Sequence, residues 1–126
     1  MLTTDKVAEL KRIVSDYTGT PNPEQLNATG QKMNRRTENV IARYIVMYCI
    51  NQRSKLQLRE IGNYFALYVD HATVLHGIRS TENTMSISKT FTSMVNAILT
   101  EWDEVLYGSP AEDEVVEQIE SYFLVI

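Results

Sequence analysis

Leu58-Arg59-Glu60-Ile61-Gly62-Asn63-Tyr64-Phe65, followed closely by Asp70-His71-Ala72-Thr73-Val74-Leu75-His76-Gly77-Ile78-Arg79-Ser80, decides how this chain folds. In the first segment Leu58, Ile61 and Phe65 stand at i, i+3, i+7, the spacing of one apolar helical stripe. In the second, Asp70 is a good N-cap, because its short carboxylate can accept from an unpaired N–H of the first turn. Val74, Leu75 and Ile78 share one side of the helix that follows. Ala72, His76 and Arg79, at i, i+4, i+7, share the other. Two short helices with a three- or four-residue link, the second showing a small, polar and basic face, predict a helix-turn-helix.

The same residues resemble the C-terminal DNA-binding domain of the bacterial replication initiator DnaA. Its signature runs Leu-Pro-Glu-Ile-Gly, then Phe-Gly-Gly-Arg, then Asp-His-Thr-Thr-Val-Leu-His-Ala. Here the corresponding residues are Leu58-Arg59-Glu60-Ile61-Gly62, Phe65, and Asp70-His71-Ala72-Thr73-Val74-Leu75-His76-Gly77. The last block differs at two positions, Ala72 for Thr and Gly77 for Ala. Arg59 stands where the family has a proline, which trades a preorganised helix start for a possible phosphate contact. Gly-Gly-Arg becomes Ala66-Leu67-Tyr68-Val69, one residue longer and without either glycine or the cation. That puts the angle between the two helices in question.

Working outward, the surrounding charge supports a nucleic-acid partner despite a net charge of −4. Residues 31–89 hold Lys32, Arg35, Arg36, Arg43, Arg53, Lys55, Arg59, Arg79 and Lys89 against four acids, a balance of +5, while the remainder carries −9. A local basic face matters more for phosphate contact than the total. With 126 residues, 44% of them hydrophobic, the chain suits one domain with a modest core. A single cysteine, Cys49, excludes an internal disulfide and suits a reducing compartment. No apolar run approaches the ~20 residues of a membrane span, and the first residues do not read as a secretion signal. The expected location is the cytoplasm: the bacterial nucleoid, or a host cytoplasm for a phage or mobile-element protein.

Upstream, residues 4–17 read as a helix capped by Thr4 or Asp5, with Val7, Leu10, Ile13, Val14 and Tyr17 in helical register and Gly19 and Pro21 ending it. Residues 27–36 form a polar loop ending in Arg35 and Arg36. Its plain reading is a solvated basic loop. The resemblance implies instead that Arg35, with Arg36 as the alternative, reads a minor groove. Residues 37–52 read as a longer helix with Ile41, Tyr44, Ile45, Tyr48 and Cys49 on its buried side. There the resemblance places Arg43 near the DNA backbone, whereas Tyr44 replaces a glutamine. Arg53, Ser54 and Lys55 form a basic link into the helix-turn-helix.

Downstream, Ile87, Phe91, Met94, Val95, Ile98, Trp102 and Val105 predict a last core helix over 88–107, broken by Gly108-Ser109-Pro110. Residues 109–126 are acidic, with an apolar stripe through Val116, Ile119, Phe123 and Ile126. They read as an amphipathic tail docked on the bundle, on a second copy or on a replication protein.

These readings define an all-α bundle of five or six helices, with a helix-turn-helix domain over 1–108 and the tail over 109–126. The bundle is Trp-repressor-like, or like the DnaA C-terminal domain. The resemblance, over roughly residues 4–106, implies sequence-specific binding of double-stranded DNA at DnaA-box-like, A·T-rich sites, in replication or its regulation. DNA contacts are expected from Arg35, Arg36, Arg43, Lys55, Arg59, Asp70, His71, Ala72, Thr73, His76 and Arg79. The alternative is a protein-interaction module on the same fold, binding a replication or transcription protein. The i, i+5 spacing of His71 and His76 does not put both on one helical face, so no metal is expected. No nucleophile–base–acid set and no Gly-x-x-x-x-Gly-Lys-Ser/Thr phosphate loop occurs, so neither an enzyme, a cofactor nor the initiator's ATPase module is expected.

Overall fold

The computed structural model describes residues 2–20, 37–65 and 67–108. Among these there are five helices and no strand: α1 (Thr4–Thr18), α2 (Thr37–Arg53), α3 (Leu58–Gly62), α4 (His71–Ile87) and α5 (Lys89–Tyr107). The loop carrying Arg35 and Arg36 and the 109–126 tail lie outside the described residues.

Helix α1 starts at Thr4 as its sequence suggests, but its cap is neither Thr4 nor Asp5. Thr3 is the cap, its hydroxyl accepting from the Lys6 N–H at 3.3 Å. Val7, Leu10, Ile13 and Val14 are buried, whereas Tyr17 is 43% exposed and falls outside the core. Gly19 ends the helix at φ 73°, a left-handed conformation suited to glycine, and its N–H donates to Ser15 O at 2.9 Å.

Helix α2 is the centre of the bundle, packed on α1, α3 and α4. Ala42, Ile45, Val46, Met47, Cys49 and Ile50 are all but inaccessible to solvent, so α2 is buried on most of its circumference rather than along one stripe. Ile41, expected in that stripe, is 42% exposed. Burial pushes the Cys49 thiol up to about 12, which keeps it an inert core residue. At the end of α2, Arg53 makes a two-pronged ion pair with Asp103 of α5, at 2.7 and 3.2 Å. Arg53 therefore ties two helices together rather than serving as a free basic link.

Helix α4 is longer than the expected short recognition helix. Seventeen residues at about 1.5 Å each make it roughly 25 Å long. One residue, Ser88, separates it from α5. The Ser88 N–H donates to Thr84 O at 3.0 Å, and its hydroxyl accepts from the Phe91 N–H at 3.1 Å. Ser88 thus closes one helix and caps the next. Ile87 belongs to the last turn of α4, before the corner, and is 86% exposed rather than part of the core. Val95, Ile98, Leu99 and Trp102 are the buried face of α5. The indole N–H of Trp102 donates to Lys6 O at 2.8 Å, and Lys6 Nζ donates to Leu106 O at 3.2 Å, which stitches α5 to α1. No helix among the described residues is long and apolar enough to cross a membrane.

Candidate nucleic-acid interface

The site is built on α4, and its orientation follows from what α4 buries. Val74, Gly77, Ile78 and Thr81, at i, i+3, i+4, i+7, are buried against α2 and its neighbours. The opposite side carries Ala72, His76 and Arg79, all exposed. His71 and Thr73, also exposed, flank that side within the first turn.

Asp70 sets the N-terminus of that surface. Its Oδ1 accepts from the Thr73 N–H at 2.8 Å, and this bond holds the Asp70 carboxyl below its ordinary value. A lowered folded value means the cap contributes fully above the ordinary aspartate value of about 3.9 and is lost as pH falls through the folded value. The Thr73 amide resonance is expected to titrate at a pH below that ordinary value and to stop titrating in Asp70→Asn. Titration at the ordinary value would show that the cap bond is not made.

The link between α3 and α4 spans residues 63–70, eight residues rather than three or four. It closes on Gly62, whose carbonyl accepts from the Phe65 N–H at 3.4 Å and the Val69 N–H at 3.3 Å. The chain returns so closely that a Cβ on Gly62 would lie 1.9 Å from the Val69 carbonyl oxygen. Among the described residues of this link none has a positive φ, so Leu67, Tyr68 and Val69 take backbone that needs no glycine. Lys11 of α1 braces the turn from behind: its ammonium donates to Tyr64 O and sits 5.3 Å from the Phe65 ring centroid.

The remaining expected contacts divide. Lys55 and Arg59 are exposed, just before and within α3. Arg43 is only 7% exposed, and burial lowers its guanidinium from the ordinary arginine value. That position leaves little of it accessible to a DNA backbone. Arg35 and Arg36 lie outside the described residues. Among the described residues no group of three His, Cys, Asp or Glu side chains is arranged to hold a metal ion.

Three features escaped sequence reading. Lys11 looks like an ordinary surface residue of α1, and only the fold carries it to a turn more than fifty residues away. Tyr44 looks like a core aromatic, yet its ring meets His76 edge-on, with centroids 5.5 Å apart and planes at 87°. Gly77 looks like a mild helix breaker, yet a Cβ there would come within 2.7 Å of both Tyr44 Cδ1 and Met47 Sδ. The pairing of a large residue with a missing side chain was the one available signal.

Comparison with known proteins gives one match. The family model for the bacterial DnaA protein helix-turn-helix fits residues 7–80, more than half of the chain. It covers α1 from Val7 onward, α2, α3 and the first ten residues of α4, the stretch that carries the exposed face; the rest of α4 and α5 lie beyond it. No curated protein and no solved structure matches the chain.

Proposed function

Because this chain belongs to the bacterial DnaA helix-turn-helix family, we propose that it binds double-stranded DNA sequence-specifically, at DnaA-box-like, A·T-rich sites, in replication or its regulation. The observation that carries the proposal is the exposed side of α4 with Ala72, His76 and Arg79, flanked by the exposed His71 and Thr73 in a first turn that Asp70 caps. A helix of this kind fits the major groove, with its N-terminal residues nearest the base edges. His71 and Thr73 offer hydrogen-bonding groups there. Ala72 offers a methyl contact to thymine and lacks the hydroxyl of the threonine in the family signature. His76 and Arg79, one and two turns on, take phosphates, and so do the exposed Lys55 and Arg59. Asp70 acts through the helix start it caps.

Arg35, with Arg36 as the alternative, is assigned to the adjacent minor groove, where a narrow A·T-rich segment attracts arginine. Arg35→Ala is expected to weaken binding and to flatten the salt slope by roughly one phosphate-equivalent or less. It should also relax any A·T preference beside the major-groove site. An unchanged slope and preference in the Arg35→Ala/Arg36→Ala double variant would remove the arm from the mechanism.

Selection of bound sequences from a random duplex pool tests the whole reading. A recurring A·T-rich motif supports it. Recovery of no motif, with affinity governed by salt alone, contradicts sequence-specific recognition.

A further inference from the structure

We propose that Tyr44 is a positioning residue for recognition: seated beneath α4 at Gly77, its ring holds the His76 imidazole in one orientation on the DNA-reading face. The proposal rests on the DNA-binding reading above.

Tyr44 comes from α2 and His76 from α4, so the contact spans two helices. Their rings meet edge to face at 5.5 Å and 87°, a favoured aromatic geometry. Tyr44 is half-buried and packed against the core, whereas His76 is exposed. The buried partner is therefore fixed, and the exposed partner takes its orientation from it. Without such a neighbour an exposed imidazole would sample several staggered rotamers and lose that freedom on meeting DNA.

The space for the tyrosine ring depends on Gly77. A methyl group there would press 2.7 Å from Tyr44 Cδ1 and from Met47 Sδ. Two of the positions where the chain leaves the family signature, tyrosine for glutamine at 44 and glycine for alanine at 77, are thus in contact. The larger residue on one helix is matched by the smaller residue on the other. The exchange replaces a flexible polar side chain beneath the recognition helix by a rigid ring that reaches His76.

The test compares Tyr44→Phe, Tyr44→Leu and the pair Tyr44→Gln/Gly77→Ala. Each is measured against the tightest duplex recovered by selection with the wild-type chain and against a scrambled duplex of equal composition. Tyr44→Phe keeps the ring and should match the wild type. Tyr44→Leu and the double variant should melt cooperatively and lose roughly three-fold or more on the selected and the scrambled duplex alike, the pattern that His76→Ala gives. On a His76→Ala background, Tyr44→Leu should cost nothing further. Full retention by Tyr44→Leu, an equal loss without His76, or a loss in Tyr44→Phe as large as in Tyr44→Leu would each overturn the proposal. Should neither ring-deleting variant fold, the His76 ring-proton resonances of the wild-type chain decide: ring-current displacement supports the contact, and free-histidine positions overturn it. Selection that recovers no preferred duplex removes the DNA reading and this proposal together. A preferred duplex bound equally by the wild type and Tyr44→Leu removes this proposal alone.

Discussion

Gly62→Ala is expected to destabilise the chain by about 3 kcal/mol or more, the upper end of overpacking costs, and to lower the melting temperature by roughly 12 °C or more. A Cβ at this position would stand 1.9 Å from the Val69 carbonyl oxygen. The obstacle is backbone, so no side-chain rotation relieves it. Relief requires moving the 63–70 link, which breaks the Val69 N–H bond to Gly62 and displaces Asp70 and the cap it makes. Gly77→Ala is the control. It meets the sulfur of the flexible Met47 and one edge of the Tyr44 ring rather than backbone, so its cost should be the smaller of the two. Thermal unfolding of the two variants side by side provides the measurement. A Gly62→Ala loss below that of Gly77→Ala would show that the turn is looser than this geometry.

The same turn separates what was legible in the sequence from what was not. Gly62 was readable as part of the Leu-x-Glu-Ile-Gly block, and its steric role explains how the link tolerates Ala66-Leu67-Tyr68-Val69 in place of two glycines. The close approach happens at Gly62 itself, and Leu67, Tyr68 and Val69 do not adopt left-handed backbone. The caps at Asp70 and Gly19 and the two faces of α4 were also readable, because each depends on residues within one or two helical turns. Helix α2 defeated the stripe reading because three helices surround it, so its apolar residues fall on most sides and its period is blurred. Ile41 was assigned to the core on that blurred pattern. Ile87 was misplaced because a single serine, with ordinary extended backbone and no glycine or proline, turns the chain between α4 and α5. The basic residues were the least legible. Arg43 is buried, while Arg53 binds Asp103 and Lys11 binds the Tyr64 carbonyl, two uses of cations that arise only from contacts distant in sequence. Charge counting marks the basic half of the chain. The fold decides which of its cations remain available to DNA.

The largest effect on recognition is expected at the first turn of α4. Thr73→Val or His71→Ala should each weaken binding to the preferred duplex by ~1–3 kcal/mol while leaving scrambled-duplex binding almost unchanged. Both side chains are exposed and belong to the end of the helix that approaches base edges. Thr73 donates its backbone N–H to Asp70 Oδ1, a bond that Thr73→Val keeps, while the side-chain hydrogen bond to Asp70 is lost with the hydroxyl. Substitution at such exposed positions should alter folding stability by no more than about 0.5 kcal/mol, which keeps loss of recognition separate from loss of fold. His76→Ala and Arg79→Ala make the contrast. As phosphate contacts they should lower affinity for preferred and scrambled duplexes alike; the arginine change, which removes a full cation, should also reduce the salt slope by about one phosphate-equivalent. Electrophoretic titration of all four variants at two salt concentrations distinguishes the roles. If Thr73→Val and His71→Ala lost affinity for both duplexes equally, the first turn would be holding phosphates rather than reading bases. The source of sequence preference would then have to lie in the minor-groove arm at Arg35.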